Sequence, residues 1–531
     1  MKQTFDTIIV GGGSAGCVLA NRLSADPTHQ VLLIEAGGGG RSPLIRVPLG
    51  MALTVPGHVH NWNFSTTAQP GLNGRSGFQP RGKGLGGSSA INAMIYTRGH
   101  AEDYNDWAEL GLDDFRWEQT LPWFTRAEAN SRLSDAYHGQ DGELSVSDLR
   151  YDNPVVNAFS AAAGQLGIPL TDDFNGEHQE GVGRYQVTQK RGLRCSAAAA
   201  YLHPVMNRPN LRVMTRTHCT RLEIGTSRVE GVWAMTGNGP QQLLQARQQV
   251  ILSAGAFQSP QLLMLSGIGP RDELRQHGIA VLHEMPEVGA NLQDHLDYIS
   301  SWRSHSPHLI GYGALGMARM AMDVPNFLFR GKGILTSNIA EAGGFVKTDP
   351  SLQRPDVQLH FLIALADDHN RKLHYGQGLS VHACQLRPYS RGHVGLNSSN
   401  PLEAPRIDPA FLSDERDLDC LLKGVKLSRE IMMQSAMNPY RGKPLFIRDE
   451  ASDEELIESI RNRADTIYHP VGTCRMGVDD DAVVDQRFRL KGLDGLRVVD
   501  ASVMPTLIGG NTNAPTMMLA NRAAHWILNG E

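Results

Sequence analysis

The sequence predicts an α/β protein built on a doubly wound, Rossmann-like dinucleotide-binding domain. Residues 7–16 read T-I-I-V-G-G-G-S-A-G, an apolar strand followed by a G-x-G-x-x-G turn and the start of a helix. Residues 31–35 read V-L-L-I-E, a second buried strand that ends in a carboxylate about twenty residues after the glycines. Near the end of the chain, a short strand at 497–499 and a helical pattern from Thr516 onward again show a strand followed by a helix.

The glycine motif is suited to a nucleotide pyrophosphate. Gly11 permits the tight turn, Gly13 lets the pyrophosphate approach the backbone, and Gly16 lets the following helix pack against the strand. That helix starts near Ser14 and Ala15, where free N–H groups and the positive dipole end favour phosphates. A glycine-rich turn in another α/β protein is the alternative.

Glu35, followed by Ala36, is the acid that completes the motif. A carboxylate at this spacing accepts hydrogen bonds from ribose hydroxyls, and its charge disfavours a 2′-phosphate. We therefore expect a dinucleotide other than NADP.

Composition excludes several classes of protein. At 531 residues the chain is too long for one compact core, so two domains or one elaborate domain are expected. The net charge of −5, without an arginine-rich run, argues against a nucleic-acid partner. The six cysteines lack metal-binding spacing, and no signal-like segment precedes the first strand. These features predict no metal site and a cytoplasmic location.

One stretch, residues 309–329, is rich in methionine, leucine and aromatic residues but is interrupted by glycines, charged residues and Pro325. It is too interrupted to span a bilayer. We expect a buried segment or a lid of a substrate domain, with a peripheral membrane contact, at the inner face of the cytoplasmic membrane, as the alternative.

The pattern of elements predicts a discontinuous dinucleotide-binding domain at 1–155, 200–300 and 465–531. The remaining segments, 156–199 and 301–464, are assigned to a substrate domain. Within it we expect strands near 357–362 and 379–386 and long helices at 414–433 and 453–463.

Several long sequence motifs in the chain resemble those of one family. Residues 81–96 read R-G-K-G-L-G-G-S-S-A-I-N-A-M-I-Y, and residues 255–269 read G-A-F-Q-S-P-Q-L-L-M-L-S-G-I-G. Both resemble signatures of the glucose–methanol–choline oxidoreductases, as do G-A-N-L-Q-D-H at 289–295, Y-H-P-V-G-T-C at 468–474 and N-T-N-A-P-T at 511–516. The words at 98–104, 141–149 and 335–345 look most similar to the bacterial alcohol and choline dehydrogenase branch.

The resemblance implies an FAD-binding domain with an inserted substrate domain, which is built on an antiparallel sheet flanked by helices. Some relatives carry a histidine that is covalently bonded to the flavin, just before the asparagine that corresponds to Asn92. This chain has Ile91 there, so FAD is expected to be held non-covalently. The cofactor contacts that it implies beyond the glycine motif are Gly86, Ser88, Asn92, Ala93, Ile95, Cys219, Ala254, Gly255, Asp500, Ala501, Asn513, Pro515 and Thr516.

The resemblance also implies the chemistry. FAD accepts the hydride from an alcohol, and the protein handles the proton. By the family pattern His469 is the general base, and Asn513 holds the alcohol oxygen. His360, within V-Q-L-H-F-L, lines the substrate side or is a satisfied core histidine.

The expected activity is oxidation of a primary alcohol to the aldehyde, with electrons passed to a quinone or another non-oxygen acceptor. Choline oxidation is the main rival, with Glu341 as a candidate carboxylate for the cation. An oxidase that uses O₂ is a further alternative, and a cyanohydrin-splitting lyase is a remote one.

Overall fold

The computed structural model describes residues 3–531 and contains two large sheets. The first has seven strands, parallel at its centre, where Gln3–Val10 lies between Val31–Ile34 and Gln241–Leu252. Its path runs Leu211–Met214, Val31–Ile34, Gln3–Val10, Gln241–Leu252, Val229–Thr236 and Thr217–Ile224, and Leu496–Val498 pairs with Gln241–Leu252.

The centre of this sheet is buried on both faces, as expected for a parallel sheet. Ile8 and Ile9 are fully buried and pair with Val250 and Ile251. The helix Ser14–Leu23 follows at once and packs closely on the end of the strand. The approach is so close that a Cβ at residue 16 would overlap the carbonyl oxygen of Gly11. The predicted Rossmann-like fold is confirmed.

The second sheet has eight strands, and all its pairings are antiparallel. Its path runs Pro444–Leu445, Leu296–Ser304, Gly376–Gln385, Val357–Leu362, Ala340–Val346 and Gly181–Arg184, with Gly311–Tyr312 and Asp465–Thr466 paired at its sides. The helices Pro154–Gln165, Glu415–Met433 and Asp453–Arg463 cover one face.

The alternation of side chains decides what each face of this sheet does. Leu359 and Phe361 point into the helix-covered core, whereas His360 and Leu362 point into a cleft. The predicted antiparallel sheet flanked by helices is thereby confirmed. The domain boundaries stay a prediction, and the strand Leu296–Ser304 crosses the one placed between 300 and 301.

The other helices surround these sheets. They are Pro43–Arg46, Met51–Thr54, Ala101–Glu109, Trp117–Ala127, Gly255–Leu265, Arg271–Gln276, Ala314–Arg330 and Asn513–Leu528. Five small two-stranded sheets complete the regular structure: Phe64–Gln69 with Arg75–Gln79, Glu128–Asn130 with Leu144–Val146, Gln189–Lys190 with Leu193–Arg194, Ile268–Gly269 with His283–Glu284, and His393–Gly395 with Arg406–Asp408.

The structure corrects part of one expectation. Within 309–329 the helix Ala314–Arg330 is not a buried segment, because Met317, Met322, Leu328 and Phe329 are exposed. That it is a lid stays a prediction. Across residues 3–531, no helix combines the length and the apolar character needed to cross a bilayer.

Candidate active site

A long cleft joins the carboxyl ends of the first sheet to the open face of the second. It encloses about 2250 Å³ of space free of protein atoms, its open mouth included. Its lining runs from the glycine motif at one end to the histidines of the second sheet at the other. One cleft can therefore bring a dinucleotide and a substrate together.

The glycine motif forms one end of the cleft. Gly11 has a φ of +103°, and a Cβ there would overlap Ser253, so only glycine fits this turn. At Gly13 a Cβ would meet nothing closer than 3.9 Å, which leaves the backbone open to the cleft. Because the helix N-terminus follows directly, its free N–H groups lie where a phosphate can reach them.

Glu35 lines the same end, but its carboxylate already holds the protein together. Its Oε2 accepts a hydrogen bond from the N–H of Gly12 at 2.9 Å, and its Oε1 accepts one from Gly37 at 2.6 Å. Burial raises the pKa of this carboxyl, whereas the N–H donors oppose that rise. The carboxylate thus braces the glycine turn as well as facing the cleft.

Most of the predicted cofactor residues line this one cleft. They are Gly11, Gly13, Ser14, Ala15, Glu35, Ala36, Ser88, Asn92, Ala93, Ile95, Cys219, Ala254, Gly255, Asp500, Ala501, Asn513 and Thr516. Gly16, Gly86 and Pro515 lie behind the lining. Gly86 shapes the wall instead, because its φ is +96° and its N–H donates to the carbonyl of Gly12 at 2.7 Å.

A buried arginine holds the signature loop at 86–95 in place. Arg194 Nη1 donates to Asn92 Oδ1 at 2.8 Å and to the Asn92 carbonyl at 2.7 Å. The same Oδ1 accepts the N–H of Met94 at 3.1 Å. The sequence analysis missed Arg194, whose only signal is a lone basic residue between apolar and small residues.

Asp500 ties the last strand to the helix Gly255–Leu265. Its Oδ2 accepts hydrogen bonds from the N–H of Gly255 at 2.9 Å and from the hydroxyl of Ser259 at 2.6 Å. Its Oδ1 accepts the N–H of Ser502 at 2.8 Å. Since both oxygens are bonded, this residue organises the wall of the cleft that it lines.

His469 lies in the cleft wall between a second histidine and an asparagine. Its Nδ1 is 2.9 Å from Nδ1 of His295, and its Nε2 is 3.2 Å from Nδ2 of Asn511. Its N–H donates to Asp294 Oδ1 at 2.9 Å. Residues from three separate sequence motifs therefore meet at the imidazole of His469.

The pairing of His469 with Asn513 stays a prediction: both residues line the cleft, but no hydrogen bond joins them. Asn513 is the first residue of the terminal helix, and its Oδ1 accepts the hydroxyl of Ser14 at 2.7 Å. The turn before that helix presents Asn511 to the imidazole instead. Asn513 lines the cleft beside the glycine motif, where its placement suits a cofactor contact.

The hydrogen bonds around His295 determine which nitrogens carry protons. His295 Nε2 is 2.9 Å from the carbonyl oxygen of Leu386, which can only accept, so Nε2 is protonated. Burial lowers the pKa of His295 to about 4, so the ring is neutral and its Nδ1 is an acceptor. His469 must then donate from Nδ1, which leaves its Nε2 with the lone pair.

The same environment keeps His469 unprotonated. Burial, and then the neighbouring His295, His360 and Arg81, hold the pKa of His469 well below 6.5. At neutral pH its Nε2 is therefore unprotonated, and its lone pair accepts the Asn511 amide in this structure. The sequence contained signals for its partners, because His295 ends the G-A-N-L-Q-D-H word and Asn511 begins N-T-N-A-P-T.

His360 lies in the cleft wall on the second sheet, directly across from His382. It is only 3% exposed, and no partner in residues 3–531 reaches its Nδ1. Burial lowers its pKa far below 6.5, so it is neutral. Of the two interpretations of His360, a residue that lines the cleft fits better than a satisfied core histidine.

A dinucleotide-binding fold joined in one cleft to a neutral imidazole base defines an oxidoreductase that uses a dinucleotide cofactor. The N-terminal profile of the family named GMC oxidoreductase matches residues 5–297, and the C-terminal profile matches 388–520. The chain belongs to the GMC oxidoreductase family, whose members bind FAD.

Individual relatives cover the whole chain. An alcohol dehydrogenase [acceptor] from Pseudomonas putida is 49% identical over 99% of this chain and 96% of its own length. The mitochondrial choline dehydrogenase of Mus musculus is 41% identical over 98% of this chain and 89% of its own. The crystal structure of pyridoxine 4-oxidase from Mesorbium loti has a TM-score of 0.89 at 33% identity and covers 99% of both chains.

The residues of the cleft fit FAD. The opening at Gly13 and the adjacent helix N-terminus suit its pyrophosphate. Arg81 lines the cleft, and its Nε and Nη2 are buried without a hydrogen-bond partner among residues 3–531. Burial lowers the pKa of Arg81 only to about 10, so it stays charged and needs an acceptor. The carbonyl groups of a flavin ring are acceptors of that kind.

Proposed function

We propose that this enzyme oxidises a neutral primary alcohol with an apolar chain to the aldehyde, and passes the electrons to a quinone or another non-oxygen acceptor. Flavin-dependent oxidation of alcohols is the activity that its family and relatives support. The observation that carries the proposal is His469 Nε2, a neutral base in the cleft held between His295 and Asn511.

The proposed division of labour follows the contacts. FAD, held non-covalently because Ile91 offers no nucleophile, supplies the hydride acceptor. His469 Nε2 takes the hydroxyl proton once the alcohol displaces the Asn511 amide from that nitrogen. A cleft amide, either Asn513 as the family pattern has it or Asn511 beside the imidazole, donates a hydrogen bond to the alcohol oxygen as negative charge develops. His295 acts through His469 as a positioning residue, because it fixes which nitrogen carries the lone pair.

The lining supports an uncharged substrate. Apolar side chains surround the histidine end of the cleft, namely Met94, Ile95, Ile299, Ala340, Leu362 and Ala366. Two nearby carboxylates are bonded to cleft histidines, Asp297 to His382 at 2.6 Å and Asp465 to His369 at 2.9 Å. A free carboxylate that would attract a cation is therefore not what this wall presents.

Choline oxidation is the second candidate, favoured by the identity to the choline dehydrogenase. Glu341, the carboxylate proposed for the cation, does not line the cleft but is fully buried, and its Oε1 accepts the Ser337 hydroxyl at 2.5 Å. Burial raises the pKa of Glu341 to about 8, so it is largely neutral at pH 7. We therefore rank choline below an apolar alcohol.

Substrate choice and acceptor are tested on the purified holoenzyme. Anaerobic bleaching by medium-chain alkanols, benzyl alcohol and choline ranks the substrates, and a higher kcat/KM for choline would overturn the apolar assignment. Dye reduction compared with peroxide yield separates a dehydrogenase from an oxidase. Flavin that stays oxidised with every alcohol would revive the lyase alternative. Fractionation of the host cell tests the proposed cytoplasmic location.

The base is tested by His469→Ala, with His283→Ala as the control. His283 lies outside the cleft, with its Nε2 bonded to the Lys491 carbonyl at 2.9 Å. We expect His469→Ala to keep its flavin and lose about 10²–10⁴ in flavin-reduction rate, whereas His283→Ala reacts normally. Reduction of the His469→Ala flavin at the wild-type rate would remove His469 from this role.

A further inference from the structure

The helix Ala314–Arg330 presents an apolar face to solvent. Met317 is 65% exposed, Met322 71%, Leu328 68% and Phe329 86%. With Ala314, Ala318, Ala321 and Pro325, which are also exposed, they recur every three to four residues and so form one continuous stripe. Contiguous apolar surface of this kind marks an interaction site.

The helix cannot turn this stripe inward, because polar contacts fix its other side. Asp323 Oδ2 accepts the N–H of Ile334 at 2.5 Å, and its Oδ1 accepts Asn326 Nδ2 at 3.1 Å. The helix ends at Gly331, whose φ of +58° forms a left-handed cap, with its N–H donating to the Phe327 carbonyl. The exposed side of this helix is apolar, unlike that of an ordinary surface helix, although Met320 and Phe327 are half-buried on its other side.

Basic side chains surround the end of the stripe. The exposed residues Lys190, Arg191, Arg330 and Lys332 form no ion pair with any carboxylate of residues 3–531. The turn at 190–192 packs directly on the helix end, because a Cβ at Gly192 would overlap the Gly331 carbonyl. The carboxylates of the same depression are bonded elsewhere, Asp148 to Arg132, Asp152 to Arg184 and Asp323 to the Ile334 N–H. The four unpaired cations therefore complement an anionic surface.

A chain of contacts leads from the helix to the wall of the cleft. The helix packs on the turn Ile334–Thr336, which contacts the turn Pro48–Gly50. The short helix Met51–Thr54 follows, and Met51 lines the cleft while Leu53 is 59% exposed. The helix is therefore linked to the cleft wall through two largely buried turns.

We propose that the outward face of the helix Ala314–Arg330 lies in the interfacial layer of a bilayer that contains anionic phospholipid. The methionine, leucine and phenylalanine side chains enter the acyl boundary, and the four basic side chains contact the headgroups. This docking does not depend on the redox chemistry. That the bilayer then delivers a lipid-soluble quinone to the cleft rests on the proposed function.

The test is sedimentation of the holoenzyme with vesicles of phosphatidylcholine, with and without phosphatidylglycerol. We expect binding that needs phosphatidylglycerol and weakens with ionic strength. The triple variant Met322→Ser, Leu328→Ser, Phe329→Ser should bind at least about 10-fold more weakly, because three apolar anchors are lost. The matched control is Leu170→Ser, Leu282→Ser, Leu402→Ser, three leucines 59%, 61% and 59% exposed that lie outside the helix.

A charge variant, Arg330→Gln with Lys332→Gln, should lose the preference for phosphatidylglycerol. Equal vesicle binding by the triple variant and its control would overturn the proposal. So would a dimer of the wild-type chain in sedimentation velocity that the triple variant abolishes, if no vesicle binding accompanies it. Flavin reduction by an alcohol and transfer to a soluble dye should be unchanged in all three variants, which separates this result from a failure of the proposed function.

Discussion

The proton arrangement between His295 and His469 makes a sharp prediction about two substitutions of one residue. His295→Asn can place its Oδ1 near the position of the lost Nδ1 and still accept the Nδ1–H of His469, although it gives up the donation to Leu386. His295→Leu removes the acceptor altogether. The two variants therefore differ in whether His469 is held in the tautomer with a free Nε2.

The size of the effect follows from the cost of a buried, unpaired N–H. His469 is 8% exposed, so in His295→Leu its Nδ1–H would lose a partner at a cost of about 1–3 kcal/mol. That cost falls on the reactive tautomer alone, because the other tautomer carries its proton on Nε2 beside the cleft. We expect a loss of about 5- to 150-fold in flavin-reduction rate for His295→Leu. His295→Asn should stay within about 5-fold of wild type.

Anaerobic stopped-flow reduction at saturating alcohol measures this directly, with flavin content and melting temperature recorded for each variant. A general structural role would lower the rate in both variants, and in step with stability. Equal rates for His295→Asn and His295→Leu, or a wild-type rate in His295→Leu, would refute the reasoning.

Three further predictions concern the same cleft. Asn511→Ala and Asn513→Ala distinguish the two amides: loss of the donor to the alcohol oxygen should lower flavin reduction by about 10²-fold, whereas loss of a cofactor contact should chiefly weaken FAD binding, as measured by stopped flow and FAD titration. Glu35→Ala removes the acceptor for Gly12 and Gly37, and we expect FAD to bind about 10-fold more weakly or worse, as measured by titration of the apoprotein. The pKa of His295 is about 4 in the folded protein and 6.5 in the unfolded chain, so the unfolded chain binds a proton first as the pH falls. The contribution of His295 to the free energy of unfolding is therefore full above pH 6.5 and declines by about 3 kcal/mol toward pH 4. Urea unfolding of wild type against His295→Asn measures that decline.

The fold was predictable wherever local pattern and tertiary role agree. The helix at 453–463 matches its prediction to the residue, since Ser452 and Glu455 form a capping box that is legible in the sequence. The strand Val357–Leu362 was equally clear because its alternating residues divide between core and cleft. For the helix Ala314–Arg330 within 309–329, the expectation of burial was wrong for the opposite reason. Its composition predicts burial, and only the tertiary contacts of Asp323 show that the apolar side faces out.

The sequence motifs of the site could be predicted, but the contacts between their side chains could not. His469 and Asn511 lie in separate motifs, and the sequence N-T-N-A-P-T does not show which of its two asparagines contacts the histidine. What distinguishes them is where the terminal helix begins. Since that helix starts at Asn513, this side chain is drawn toward Ser14 at the dinucleotide end, and the residue two positions earlier, still in the turn, reaches the imidazole. The helix start therefore decides which amide contacts the imidazole and which contacts Ser14.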